Sequence, residues 1–180
     1  DRGEFDWVIS SDPASQTAEL LCAASGLQQE ADRVTMQGCW SAMLSFDGTL
    51  ALGFDGAFVE KSPLAWVACN SSKPGRDSGR ETWVLHASPD WTEDHMENLP
   101  EHVLAELSAA FFEATGREQV TPYFSTCHRW RYAIPAPALE KPYLLDSALG
   151  LGACGDWCGG PRVEGAFLSG IAMADCLLES

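Results

Sequence analysis

The last thirty residues constrain the fold of this chain more than any other stretch. Between Gly150 and Gly170 the sequence is rich in glycine, and an apolar run continues to Leu178. This pattern predicts a strand end, a glycine-rich crossing and then a helix, because glycine adopts backbone conformations that other residues avoid. The N–H groups that begin a helix carry partial positive charge. We therefore expect a binding site for an electron-rich ring or a phosphate at the start of the terminal helix.

Composition narrows the possible partners. The 180 residues suffice for one domain, or for two pieces of a discontinuous one. With 26 acidic against 11 basic residues, the chain is expected to repel nucleic acid and anionic membrane surfaces. No apolar run approaches the length of a membrane span, so we expect a cytoplasmic protein.

Seven cysteines lie at positions 22, 39, 69, 127, 154, 158 and 176. They include no CxxC pair, and no histidine lies at metal-ligand spacing from them. We therefore expect reduced, mostly buried thiols and no metal site. Cys154 and Cys158 flank Trp157, and their spacing leaves a redox pair open as an alternative.

Short β-like runs separated by Gly, Pro, Asp and Ser occupy the middle of the chain and predict an antiparallel meander. They cover residues 40–46, 57–59, 64–69 and 82–87, with a returning strand at 122–132. Apolar residues recur every three to four positions over 101–115, which predicts an amphipathic helix between Pro100 and Gly116. A shorter helix is expected over 12–25, closed by Gly26.

One motif is misleading. Residues 150–155 match GxGxxG by letter. A dinucleotide fingerprint needs a strand before it and a helix that opens within it, whereas Asp156–Pro161 follows here. We therefore do not expect residues 150–155 to hold a dinucleotide.

Several motifs resemble one family. Residues 155–170 read GDWCGGPRVEGAFLSG, which is similar to the C-terminal FAD-binding motif of flavin-containing amine oxidases, in particular the bacterial renalase-like branch. Residues 62–76, 82–87 and 128–133 also look like that branch. The resemblance covers nearly the whole chain, and its motifs occur in the expected order.

The resemblance implies the fold class. It implies an α/β protein, α+β in its substrate part, that forms the C-terminal portion of a glutathione-reductase-like FAD fold with an antiparallel-sheet substrate domain. Family members run to about twice this length and open with a GxGxxG turn that holds the FAD pyrophosphate. We therefore expect the N-terminal half of the same protein as a partner. The expected division is 1–30 for the tail of the FAD-binding domain, 31–140 for the substrate domain and 141–180 for the return to the FAD-binding domain.

The resemblance also implies site residues. The expected FAD-binding residues are Gly155, Asp156, Arg162, Val163 and Glu164. Within this set, the backbone at 162–164 is expected at the flavin edge and Asp156 near the ribityl or phosphate region. The expected catalytic residues are His86, Trp130 and Tyr132, at the wall of the substrate chamber. Without the resemblance, Asp156 would be read as a turn carboxylate and His86 as a packed or surface histidine.

The implied activity is an FAD-dependent oxidoreductase that oxidises dihydronicotinamide-type substrates and passes electrons to oxygen. Two alternatives stay open. The first is a flavin amine oxidase, whose usual aromatic cage only Trp130 and Tyr132 could offer. The second is a non-catalytic acidic α/β interaction domain.

Overall fold

The computed structural model describes residues 3–76 and 79–179, which fall into two compact units. One unit comprises 1–37 with 132–180, and the other comprises 38–131. The elements, in chain order, are β1 (Val8–Ser10), α1 (Ala14–Leu20), α2 (Ser25–Asp32), β2 (Met36–Phe46), β3 (Gly56–Phe58), β4 (Leu64–Cys69), β5 (Glu81–Ala87), α3 (Pro89–Asp94), α4 (Pro100–Thr115), β6 (Phe124–Pro135), β7 (Leu144–Asp146), β8 (Leu151–Ala153), α5 (Asp156–Gly159) and α6 (Val163–Leu178).

The unit formed by 1–37 and 132–180 contains a three-stranded sheet in the order β1-β8-β7. β1 runs parallel to β8, and β7 runs antiparallel to it. Trp157 is buried in the core of this unit, and its indole Nε1–H donates to the carbonyl of Asp12 at 3.0 Å. This long-range hydrogen bond holds α5 against the turn that follows β1.

The predicted helix over 12–25 is wrong at its C-terminal end. α1 stops at Leu20, and Gly26 lies inside α2 rather than after a helix. Leu21 and Ala24, between the two helices, are buried in the same core as Leu27 of α2. Tertiary packing therefore outweighs the low helix propensity of Gly26.

The unit formed by 38–131 contains a five-stranded sheet in the order β3-β4-β5-β2-β6. β3, β4 and β5 form consecutive antiparallel pairs, and β2 is antiparallel to β5. The strands lie close to where the sequence predicts them, and β3, β4 and β5 form the predicted antiparallel meander. The prediction is wrong for β2, which lies between β5 and β6 rather than beside β3. Period-two alternation identifies a strand without identifying its neighbours.

α4 begins and ends as predicted. Pro100 occupies its first turn, and Gly116 follows with the left-handed φ of 64° that favours glycine. Val103, Leu107 and Phe111 of α4 are fully buried in the core that includes the inward side chains of the sheet. Phe111 lies 5.3 Å from the ring of Trp83. α4 therefore covers one face of the sheet.

Gly150 precedes β8 and has a φ of 66°. The strand thus lies inside the GxGxxG letters, and only the single turn of α5 follows Gly155. This geometry lacks the strand, tight turn and long helix of a dinucleotide fingerprint. Over the ranges that the structure describes, no helix has both the length and the apolar character needed to cross a lipid bilayer.

Candidate functional site

The predicted cofactor-binding residues lie on one continuous segment that runs from β8 through α5 into α6. Gly155 takes a φ of 154° between β8 and α5, and its N–H donates to Ser169 Oγ at 2.9 Å. Ser169 Oγ in turn donates to the carbonyl of Pro142 at 2.5 Å. Ser169 is buried, so this pair of hydrogen bonds fixes the turn against α6.

Two glycines in this segment serve a close approach between parts of the backbone. A Cβ on Gly165, in the first turn of α6, would lie far inside van der Waals contact with the carbonyl oxygen of Gly160. A Cβ on Gly159 would meet the carbonyl oxygen of Gly165 in the same way. At these two positions the missing side chain admits the protein's own backbone.

The start of α6 has no side-chain cap. Arg162 is extended at the N-cap position, and Arg162, Val163 and Glu164 are all exposed. The first N–H groups of a helix have no partner within it. They are therefore free to meet an electron-rich group, an interaction of about 0.3–1 kcal/mol when exposed.

Asp156 begins α5, one residue after the Gly155 turn, and is half-buried. Across residues 3–76 and 79–179 no protein group hydrogen-bonds its carboxylate. A half-buried carboxylate without a donor is suited to accept a hydrogen bond from a ligand hydroxyl.

The described part of the chain includes all seven cysteines, and none of them forms a disulfide. Burial raises the pKa of Cys39 and Cys127 to about 11 and that of Cys158 to about 12. Burial also raises the pKa of Cys154. Raised pKa values in both Cys154 and Cys158 oppose the thiolate that a redox pair needs. Among the residues that the structure describes, no group of His, Cys, Asp and Glu is arranged to hold a metal ion.

We expect a thiol reagent at mildly alkaline pH to label Cys22, which is exposed, well before Cys39, Cys127 and Cys158. At a pKa of about 11, only about a thousandth of a thiol is ionised at pH 8. Peptide mass spectrometry over a time course measures the order of labelling. Labelling of Cys158 as early as Cys22 would contradict the buried placement of α5.

His86 lies on β5, on the sheet face opposite α4. Trp83, Leu85 and Ala87 of the same strand are buried against the α4 side, so alternation places His86 on the other face. Its direct partners across the ladder are Ser41 on β2 and Trp66 on β4. Trp66 in turn pairs with Phe58 on β3. A single row therefore crosses four strands in the order Phe58, Trp66, His86 and Ser41.

The imidazole of His86 is exposed on one side. Its pKa nevertheless lies below the ordinary value of 6.5, because the surrounding protein partly desolvates the ring. At neutral pH His86 is therefore uncharged, with one ring nitrogen as donor and the other as acceptor.

Trp130 on β6 is more than half exposed and lies 4.5 Å from the ring of His128. Its neighbours Arg129 and Arg131 bind Glu97, Arg131 through two hydrogen bonds of 2.6 and 3.0 Å. The hydrogen bonds from Arg131 and the nearby positive charges lower the pKa of Glu97. Because neighbouring residues alternate, Trp130 and His128 share the strand face opposite these ion pairs.

Tyr132 is also on β6 and is exposed, but it belongs to the unit that contains α6. His86 and Trp130 belong to the other unit. The catalytic role predicted for these three side chains stays a prediction.

A cleft of about 400 Å³ opens beside the C-terminal end of α4, between Phe54, Val59 and Phe111. None of the predicted site residues lines it. The uncapped start of α6 and the row through His86 therefore remain the better candidates, since they carry the free polar groups.

Sequence reasoning missed Trp66. Leu64 and Trp66 are two residues apart on β4, so simple alternation assigns them to the same face. A register shift between them turns Leu64 toward the core and Trp66 toward His86. The sequence predicts a strand over 64–69, but nothing in its letters marks the bulge.

Comparison with models of known protein families gives no match. Solved structures with a similar fold include a protein from Exiguobacterium sp. 255-15, provisionally assigned as a protoporphyrinogen oxidase, with a TM-score of 0.79 and 15% identity over 97% of this chain and 42% of that chain. An oxidoreductase from Methanosarcina mazei has a TM-score of 0.70 and 16% identity over 96% and 43%. Cyclohexylamine oxidase from Brevibacterium oxydans IH-35A has a TM-score of 0.67 and 11% identity over 97% and 43%.

These matches establish the fold. The chain has the mixed α/β architecture with an antiparallel sheet that is found in part of these enzymes. It spans less than half the length of each. At such low identity the likeness concerns architecture alone.

Proposed function

We propose that this chain is the C-terminal portion of an FAD-dependent oxidoreductase of the renalase-like branch, with a glutathione-reductase-like FAD fold. In this proposal it oxidises dihydronicotinamide-type substrates and uses oxygen as the electron acceptor. The observation that carries the proposal is the folding of the GDW and RVEGA motifs into one turn-and-helix segment in which, among the described residues, the Asp156 carboxylate and the N–H groups of Val163 and Glu164 have no protein partner. The oxidases and the oxidoreductase among the similar folds support the same class.

The residues present fit a flavin. The uncapped N–H groups at Val163 and Glu164 would meet the electron-rich pyrimidine edge of the ring, and Asp156 would accept from a ribityl hydroxyl. Gly155 would allow the chain to turn beside it. The side chain of Glu164 is exposed, so its backbone is the expected contact.

Bound FAD supplies a ring that accepts a hydride from the substrate. The protein's part is to bind, orient and exclude water. In the proposal Trp130 and Tyr132 offer aromatic surface to the substrate. Neutral His86 donates or accepts a hydrogen bond at the substrate's polar edge, which fixes the carbon that is to be oxidised.

The outer face of α6 supports the proposal that an N-terminal half of the same protein belongs here. Val163, Phe167 and Ile171 recur along one side of the helix with exposed fractions of 90%, 65% and 41%. An apolar stripe of this size on a terminal helix indicates a covering partner. The proposed cover is the dinucleotide-binding half. The similar structures are more than twice as long as the part that this chain matches, which is long enough to include such a half.

Cyclohexylamine oxidase among the similar folds favours amine oxidation as the second candidate. Stopped-flow mixing of full-length protein with dihydronicotinamides and with primary amines separates the two. Bleaching of the flavin absorbance by dihydronicotinamides alone supports the proposal, and bleaching by amines alone supports the second candidate. Colourless full-length protein, even after FAD is added, would favour the acidic interaction domain.

We expect Asp156→Ala in the full-length protein to weaken FAD binding by about 10- to 150-fold and so to lower FAD retention, because a charge-assisted hydrogen bond of about 1.5–3 kcal/mol is lost. Asp156→Asn keeps an acceptor and should retain more cofactor. Asp175→Asn removes an exposed carboxylate from α6 and is the matched control. The flavin-to-protein absorbance ratio after gel filtration measures retention, and an unchanged ratio in Asp156→Ala overturns the assignment.

A further inference from the structure

The sheet face that carries His86 is unusual in its chemistry. By register and alternation this His86 face holds Ser41, Met43, Ser45, Gly56, Phe58, Trp66, Ala68, Thr82, Val84 and His86. On β6, Cys127 packs against the core on the α4 side, so alternation places His128 and Trp130 on the His86 face as well. None of these side chains is Asp, Glu, Lys or Arg, although 21% of the whole chain is charged. A solvated sheet face normally carries charged residues. The composition of the His86 face instead suits an uncharged, flat ligand.

The indole of Trp66 lies flat on this face, and its exposed surface is called the shelf. Its six-membered ring lies over Gly56, where a Cβ would approach Trp66 Cζ2 to 2.8 Å and Cη2 to 2.9 Å. The absence of a side chain at Gly56 therefore lets the indole lie down across β3. Phe58 stands beside it at 57°, with ring centroids 4.7 Å apart. A flat ligand could therefore stack on the indole of Trp66 and touch the tilted ring of Phe58 with its edge.

Two polar groups of this row, the indole N–H of Trp66 and the imidazole of His86, are available to a ligand. Trp40, Trp83 and Trp157 each donate the indole N–H to a protein oxygen. Within residues 3–76 and 79–179, neither Trp66 Nε1 nor the ring of His86 has a hydrogen-bond partner. Tryptophan N–H groups usually find a partner when they are shielded. A free donor on the shelf and a neutral imidazole beside it present both a donor and an acceptor to a ligand.

We propose that Trp66, Phe58 and His86 form a stacking site for a planar heteroaromatic ring that carries an amide-type edge. The ring stacks on Trp66 against Phe58. Its amide-type edge hydrogen-bonds to one nitrogen of the neutral His86 imidazole, either by donating its N–H or by accepting at its carbonyl. This inference rests on the proposed function, since it names the surface that a ring would contact there.

Two rings share this chemistry: a nicotinamide-type substrate and the pyrimidine end of a flavin. Nicotinamide and riboflavin are therefore the two probes. Nicotinic acid is the charge control, because the chain has a net charge of −15 and the His86 face offers no cation to pair with a carboxylate.

The experiment is a titration of the ¹⁵N-labelled chain followed by NMR. We expect saturable shifts of the Trp66 indole N–H and of the β5 amides around His86, and no shift in α4. Trp66→Ala should weaken binding by about tenfold, and Trp66→Phe by less, since it keeps a stacking surface. Gly56→Ala should weaken binding by displacing the indole. Gly48→Ala, where an added Cβ meets open space, is the matched control and should bind as wild type.

The outcomes separate cleanly. Trp66-dependent binding of nicotinamide assigns the shelf to substrate, and Trp66-dependent binding of riboflavin alone assigns it to the cofactor ring. Binding of neither probe, or equal binding by folded Trp66→Phe, Gly56→Ala and wild type, overturns the inference. A colourless full-length protein that still binds nicotinamide through Trp66 would contradict the proposed function and support the stacking site. A yellow, active protein whose nicotinamide binding does not depend on Trp66 would support the proposed function and contradict the stacking site.

Discussion

Gly165→Ala is expected to destabilise the unit that contains α6 by about 1–3 kcal/mol, the range for forcing extra atoms into a packed site. The added Cβ would collide with the backbone of Gly160, and a carbonyl oxygen cannot rotate away as a side chain could. The start of α6 must therefore shift, and the N–H groups proposed for the flavin edge shift with it. Urea unfolding followed by circular dichroism measures the stability, and the flavin ratio of the full-length protein measures cofactor retention.

Gly170→Ala is the control on the same helix. An added Cβ there meets nothing within 4 Å. The change should stabilise α6 by about 0.5–1 kcal/mol, because alanine has the higher helix propensity. If the free energy of unfolding falls in Gly165→Ala and rises in Gly170→Ala, the close approach of Gly165 to Gly160 is the cause of the destabilisation. Stabilisation by both substitutions would show that the turn from Gly159 to Gly165 is looser than the structure has it.

His86→Ala in the full-length enzyme should lower turnover by about a hundredfold or more while FAD stays bound, because the proposed hydrogen bond of the imidazole orients the substrate. His102→Ala is the matched control, because His102 is exposed on α4, which covers the other face of the sheet. Single-turnover flavin reduction, with the flavin ratio measured on the same sample, separates chemistry from cofactor loss. Wild-type turnover in His86→Ala removes His86 from the catalytic residues.

The acid limb of the pH profile tests the same assignment. Since desolvation lowers the pKa of His86, the neutral imidazole persists down to a pH below 6.5 and is lost by protonation only beneath that. Flavin reduction should therefore stay constant from neutral pH to about 6.5 and decline at lower pH. His86→Gln, which keeps a neutral donor and acceptor, should lose this limb. Survival of the same limb in His86→Gln would assign the titration to another group.

Much of the secondary structure could be predicted from the sequence because it depends on local chemistry. The three-to-four spacing of Val103, Leu107 and Phe111 identifies α4, and Gly116 marks its end through its left-handed φ. Alternation identifies β5 and assigns His86 and Trp83 to opposite faces. The prediction that Gly26 ends a helix is wrong, because glycine within a helix costs about 1 kcal/mol and burial of the neighbouring Leu27 outweighs this cost.

The candidate site divides in the same way. The sequence by itself determined most of the strands and helices. It also placed Asp156 and Arg162–Glu164 on the glycine-rich segment that leads into the terminal helix, since these features arise from residues close in the chain. Only the tertiary structure decided that β2 lies between β5 and β6, that Trp66 shares a face with His86, and that Gly165 meets Gly160. The physical reason is that strand order, a register shift and a backbone contact are set by hydrogen bonds and packing between distant segments, for which no local pattern codes.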